Sequence, residues 1–208
     1  MTSPLNRVRA HLRRHFAEAG LCGIGAEPES ATVTFLGAES IEVLRFGSEV
    51  GGLLHFVSLG CSRRPMLDPT QIVPDQLSGP RAEVVLSLRN PGPVTGLARS
   101  LAIVASTPAV EGVVLAADAL IDLGSPLWTR PSGPVPFTAV LLGPSDIVDL
   151  PLDPQCDPVR FLSATPITET EAAWVRLNGT QGARALRQIW QNDGIDVVDP
   201  NRRAGQPG

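Results

Sequence analysis

One stretch, LLHFVSLGCSRRP at residues 53–65, constrains this chain more than any other. Residues 53–59 read as a central β-strand, and Gly60 then permits a tight turn carrying Cys61, Ser62, Arg63 and Arg64. Alternation puts Leu53, Val57 and Leu59 on one face with His55 among them. Leu54, Phe56 and Ser58 take the other face.

The neighbours of this strand suggest a meander. Residues 31–36 and 41–46 alternate around a Gly-Ala-Glu-Ser turn and read as a hairpin, with Gly51-Gly52 leading into the third strand. Ahead of them, residues 3–20 form an amphipathic helix. Ser3 is placed to cap it, Pro4 suits its first turn, and Leu5, Val8, Leu12 and Phe16 share one face. Its arginines Arg7, Arg9, Arg13 and Arg14 give a solvated basic face.

After the turn, residues 63–80 form a proline-rich loop, long for a compact domain. Residues 83–88 return as a strand, and a second helix spans 94–107 with Pro108 ending it. A short strand is expected at 113–115, with Trp128 in a proline-flanked loop. Residues 135–142 are apolar on both faces, the mark of an inner strand. An acidic loop at 146–157 precedes a strand at 159–165.

Thr168-Glu169-Thr170-Glu171 is a capping box opening a helix through Leu177, which Asn178-Gly179 closes. Another helix covers 180–191 and a last strand 195–198, before a polar tail from Asp199 expected to fray. Strands, a helix, strands and then helices predict an α+β fold: a mixed, mainly antiparallel sheet flanked by helices. The expected organisation is a single domain. Residues 1–29 give the helix and its linker, 30–203 the main body, and 204–208 a flexible tail.

Composition narrows the function. The chain has 17 basic residues, all arginine, and 21 acidic ones; a net charge of -4 does not favour nucleic acid as partner. Cys22, Cys61 and Cys156 lie far apart with no C-x-x-C pair, so neither a disulfide framework nor a zinc site is expected. Arginines interrupt the N-terminal segment, and no apolar run is long enough to span a bilayer, so the expectation is a cytoplasmic protein without membrane contact.

Candidate chemistry is sparse. His11 and His15 are four apart, but no third ligand stands in the same helical turn. Cys61 or Ser58 with His55 is the sharpest enzymatic option, a thiol- or hydroxyl-dependent hydrolase. Six extended residues nevertheless place His55 about 20 Å from Cys61, against a hydrogen-bond reach of ~3 Å. Ser58 lacks the G-x-S-x-G elbow because Phe56 stands where its first glycine belongs. Gly51-Gly52 and Gly23-Ile24-Gly25 lack the remainder of a phosphate loop, and the acidic loop fits no EF-hand. No catalytic residue, metal or cofactor is expected. Arg63 and Arg64 are the candidate partner-binding residues, able to clamp a carboxylate.

The segment from Leu54 to Ser62 resembles the suppressor of fused motif: His, aromatic, aliphatic, small, any residue, Gly, any residue, Ser. Residues 83–89, the Leu97-Ala98 helix, residues 159–162, Pro166-Ile167-Thr168-x-x-Glu171 and Asp199-Pro200-x-Arg202 are similar to later parts of that family, in the same order. The resemblance covers about residues 30–203. It implies an α+β domain that binds protein without catalysis. Eukaryotic members restrain a transcription factor by clamping an extended segment of it, and carry a second domain that a chain of this length is expected to lack. Bacterial members are similar to immunity proteins that neutralise a toxin. Arg63-Arg64 stand where the eukaryotic pattern has acidic residues, so no eukaryotic binding residue is carried over. The expectation is a bacterial immunity or regulatory protein that sequesters a protein partner, a toxin or a regulator, its oligomeric state left open.

Overall fold

The computed structural model describes residues 3–22, 27–47, 52–66 and 77–206. Helix α1 (Pro4–Glu18) leads into β1 (Glu29–Val33), β2 (Ile41–Phe46) and β3 (Leu53–Leu59). One 3-10 turn (Cys61–Arg63) follows, then β4 (Arg81–Arg89) and α2 (Leu97–Glu111). Short strands β5 (Leu120–Asp122), β6 (Thr129–Arg130) and β7 (Gly133–Pro134) precede β8 (Phe137–Pro144), β9 (Val159–Thr168) and α3 (Glu169–Asn192).

Seven strands make one sheet in the order β1-β2-β3-β4-β9-β8-β5, and β6 with β7 forms a separate ribbon. Only the β4–β9 pair within the large sheet is parallel, with Arg81 opposite Val159. The mixed, mainly antiparallel α+β fold is therefore as the order of elements predicts.

Strand alternation divides the core between the two sheet faces. On one face Val43, Leu54, Phe56, Val84, Leu86, Val140 and Leu142 pack against Leu97, Leu101, Val104 and Ala105 of α2. On the other, Leu44, Phe46, Val57, Leu59 and Phe161 pack against Val8, Leu12 and Phe16 of α1. Farther along that second face Ala139, Leu141 and Ile167 meet Ala172, Val175, Leu186 and Trp190 of α3. The faces of β3 follow the predicted alternation, with Phe56 and Val57 in opposite layers.

Several local expectations change. Ser3 holds the N-cap position of α1, yet its side chain makes no capping hydrogen bond. Pro108 lies inside α2 instead of ending it. Proline removes the amide that would reach the Val104 carbonyl, and the Thr107 hydroxyl supplies a donor there at 2.7 Å. Gly112, at φ 70°, ends the helix in the left-handed conformation. Residues 113–115 form no strand; the strand of this region is β5, on the edge beside β8.

The run Glu169–Asn192 is helical on both sides of Gly179, whose φ of 57° and ψ of -141° break it where Asn178-Gly179 predicts. Residues 195–198 are not a strand, although the Val198 carbonyl accepts from the Arg89 amide at 2.8 Å. The segment beyond Asp199 is held, not frayed: Pro200, Arg202 and Gly205 are buried. Residues 207–208 lie outside the described residues, as do Gly23, Gly25, Gly51 and positions 67–76 of the long loop.

Candidate functional site

The turn after β3 is built around a carboxylate. Glu83 of β4 is fully buried. Its Oε1 accepts from the Gly60 amide at 2.9 Å, the Ser62 amide at 3.0 Å and the Ser62 hydroxyl at 2.6 Å. Its Oε2 accepts from the Ser58 hydroxyl at 2.5 Å. Ser58 Oγ in turn accepts from the Val84 amide at 2.9 Å. The Ser-x-Gly-x-Ser spacing is thus a cradle of four donors for one buried acid. Burial pushes the Glu83 carboxyl above its ordinary range, with the two hydroxyls and two amides opposing that rise.

Gly60 sits at φ 146°, and a Cβ there would lie 2.9 Å from Ile41 Cδ1. Buried Arg81, two positions before Glu83, holds the same turn by donating to the carbonyls of Ser62 at 2.9 Å and Arg63 at 3.1 Å. The turn is consequently rigid, although its sequence is a loop by composition.

Arg63 and Arg64 project from this anchored turn. Both pair with Glu39 in the β1–β2 connection, Arg64 at 2.9 Å. The Arg64 side chain is 81% exposed and that of Arg63 34%. Two guanidinium groups therefore share one carboxylate at the surface.

The groups of the enzymatic option remain apart. His55 Nδ1 meets Ser87 Oγ at 2.8 Å and its ring lies 5.0 Å from that of Phe16, while Ser58 is committed to Glu83 and Val84. Burial, then the positive field of His15, lower the His55 pKa. Burial and then the Glu83 charge push the Cys61 thiol well up, away from the thiolate a nucleophile needs. His11 bonds the Val148 carbonyl at 2.7 Å and stacks on Phe161, while His15 packs edge-on to Phe16. Among the described residues no group of three His, Cys, Asp or Glu side chains could hold a metal ion. In the acidic loop, Asp153 pairs with Arg7 of α1 at 2.9 Å.

A second buried network lies at the other end of the sheet. Thr168 caps α3 and forms the predicted reciprocal box with Glu171. Glu171 also receives Arg202 through both oxygens, the Trp190 indole N–H at 2.9 Å and the Gly205 amide at 2.8 Å. The Arg202 guanidinium is sandwiched 5.1 Å from the rings of Phe137 and Trp190. Burial raises the Glu171 pKa, but the Arg202 bonds and charge, with the Thr168 and Gly205 amides, outweigh it and leave the group lowered.

Residue patterns alone do not single out Glu83, Glu39 or the Glu171–Arg202 pair. An acid at the head of the strand-like run 83–88 is the one local signal for the first, and it stands 21 positions beyond Ser62. The other two arise from chain segments that meet only in the fold.

The class defined here is an α+β domain whose buried charged groups hold the chain to itself. The chain belongs to the suppressor of fused family: the model described as Suppressor of fused protein (SUFU) matches residues 37–203. The fold is similar to that in the Sufu-Fu complex crystal structure, with a TM-score of 0.60 at 15% identity over 97% of this chain and 91% of that one. It is also similar to Drosophila Suppressor of Fused, with a TM-score of 0.63 at 18% identity over 98% of this chain and 51% of that one. The chain thus spans about half the length of the Drosophila protein. No curated protein sequence matches it significantly. Membership of the family supports a protein-interaction module. Among the described residues no helix is long and apolar enough to cross a membrane.

Proposed function

We propose that this chain is a non-enzymatic protein-binding module, a bacterial cytoplasmic immunity or regulatory protein that sequesters a protein partner through the surface around Arg63 and Arg64. The carrying observation is that both arginines stand on a turn clamped by buried Glu83 and Arg81, with one carboxylate between them. A rigid scaffold presenting unsaturated surface charge suits recognition. An acidic segment of a partner would complete the charge-assisted bonds that Glu39 alone leaves unfilled.

The test starts with affinity capture from the native host and identification of the retained protein by mass spectrometry. Replacing Arg63 and Arg64 with glutamate should then lower affinity for that protein at least about tenfold, with an unchanged circular dichroism spectrum. Unchanged affinity would move the interface elsewhere, with the acidic loop at 146–157 tested next. A hydrolase acting on small esters or peptides, lost on Cys61→Ala or Ser58→Ala, would overturn the non-enzymatic reading.

A further inference from the structure

The turn after β3 carries more positive charge than the chain itself answers. Arg63 and Arg64 lie at its surface, and Arg81 is buried behind them, bonded to the carbonyls of Ser62, Arg63 and Leu77. Among the described residues no carboxylate pairs with Arg81. Glu83, the buried acid of the turn, is taken up by Ser58, Gly60 and Ser62. Among the described residues Glu39 is the one carboxylate that answers the surface pair.

Glu39 answers that pair as a bound carboxylate would. One of its oxygens accepts from Arg63 Nη1 and the other from Arg64 Nη2, the latter at 2.9 Å. The remaining N–H groups of both guanidiniums have no acceptor among the described residues. The two sides of the contact are unequally held. The arginines stand on the turn fixed by Glu83 and Arg81, whereas Glu39 stands in the connection 34–40, outside any strand. Among the described residues that connection has one backbone hydrogen bond of its own, from the Ala38 amide to the Phe35 carbonyl, long at 3.4 Å. Leu36, beside the bend at Gly37, is fully exposed. Exposed ion pairs hold weakly, and the Glu39 side chain is 48% exposed. The acid is therefore the part of the contact that yields.

We infer that Glu39 is a built-in stand-in for the partner: it fills the arginine pair in the free chain and gives way to a segment with two adjacent acidic side chains. A single incoming carboxylate offers no more than Glu39 already supplies. Two adjacent ones offer each guanidinium its own pair of oxygens, the two-pronged geometry that makes arginine–carboxylate bonds strong. Glu39 thereby screens out isolated acids, and the apparent affinity is scaled down to the fraction of molecules in which the pair stands open. The inference rests on the interaction-module reading and names the partner chemistry and the regulation of its Arg63–Arg64 surface.

The probes are three N-acetylated, C-amidated peptides, Gly-Glu-Glu-Gly, Gly-Glu-Gln-Gly and Gly-Gln-Gln-Gly, together with inorganic phosphate. The guanidinium N–H resonances of Arg63 and Arg64 in the full chain are followed by NMR at millimolar probe. The Glu-Glu peptide should shift both saturably and bind at least about threefold tighter than Glu-Gln, with no binding of Gln-Gln. Glu39→Gln should tighten Glu-Glu by at least about threefold again, with the remaining spectrum in place. Adding Arg63→Gln to that variant should remove the gain. No shift from Glu-Glu in either chain, unchanged or weaker binding to the Glu39→Gln chain, equal binding of Glu-Gln, or equal binding of phosphate would each overturn the inference. The interface reading is tested apart from it, with the captured partner. A partner lost on replacing both arginines with glutamate, yet held no more tightly by the Glu39→Gln chain, leaves the interface standing and removes Glu39 as its stand-in.

Discussion

Arg202 and Glu171, 31 positions apart, form a two-pronged buried ion pair, Nη1 to Oε1 and Nη2 to Oε2, each at 2.9 Å. Their side chains are 2% and 0% exposed. Nη2 also donates to the Pro166 carbonyl at 2.7 Å, so the arginine ties the C-terminal segment to β9 and α3 together. Breaking such a pair from one side leaves an uncompensated buried charge. Arg202→Met should therefore destabilise by about 3–5 kcal/mol in urea unfolding, while the double variant with Glu171→Leu should recover part of that loss. A loss below about 1 kcal/mol in the single variant would show the pair to be dispensable.

The same pair sets a pH response. The Glu171 pKa is lowered in the folded chain. Its stabilisation is therefore present above the unfolded glutamate value of about 4.3, and is lost as pH falls through the lower folded value. Arg202→Met removes the main opposing partner and should flatten the acid limb of a stability-against-pH curve. A curve of unchanged slope would contradict the assignment.

Glu83 carries the opposite sign. Its folded pKa is raised, so its contribution is fully present below the unfolded value and declines as pH rises through the folded one. Glu83→Gln preserves the cradle in outline: Oε1 keeps the Gly60 and Ser62 donors, and the new NH2 can donate to Ser58 Oγ. This variant should cost little and remove that decline. Glu83→Ala orphans four buried donors and should cost at least about 3 kcal/mol. Equal stability of the two variants by chemical unfolding would refute the cradle.

The sequence carries those parts of this fold whose causes are local. The strands at 41–46 and 53–59 have the predicted bounds, because alternation and flanking glycines are written in consecutive residues. The α3 capping box is legible for the same reason. Pro108 misleads because its missing donor is made good by a neighbouring hydroxyl, a compensation invisible to propensity. β5 spans three residues, too few for a period to show, and exists because β8 offers it an edge. The polar tail reads as loose until Glu171 is placed beneath it. At the β3 turn, the serines and the glycine mark an important place, but their purpose appears only when β4 brings Glu83 beside them.

Gly60 tests the close approach at that turn. At φ 146°, with Ser40 O 3.2 Å and Ile41 Cδ1 2.9 Å from the Cβ position, alanine combines backbone strain with a clash. Gly60→Ala should cost about 1–3 kcal/mol. It should also shift the Ser62 amide resonance, whose proton is held by Glu83. Wild-type melting would show that the turn adjusts freely.

His55 offers the last test, since it separates a structural from a chemical role. It is half-buried on β3, with Ser87 on one ring nitrogen and the Phe16 ring beside it, while its buried Nε2 has no hydrogen-bond partner. Burial and the nearby His15 lower its pKa. The neutral ring is therefore the folded form, and its stabilisation is present above the unfolded histidine value of about 6.5. That contribution is lost as pH falls through the lower folded value. His55→Ala removes the Ser87 bond and the packing on α1, and should cost about 1–3 kcal/mol at neutral pH. His55→Gln, which can keep the bond to Ser87, should cost less and abolish the loss of stability on mild acidification. Thermal melts at neutral and mildly acidic pH decide the matter. If both variants melt with the wild type but no longer hold the captured partner, His55 is a binding contact and not a strut between β3 and α1.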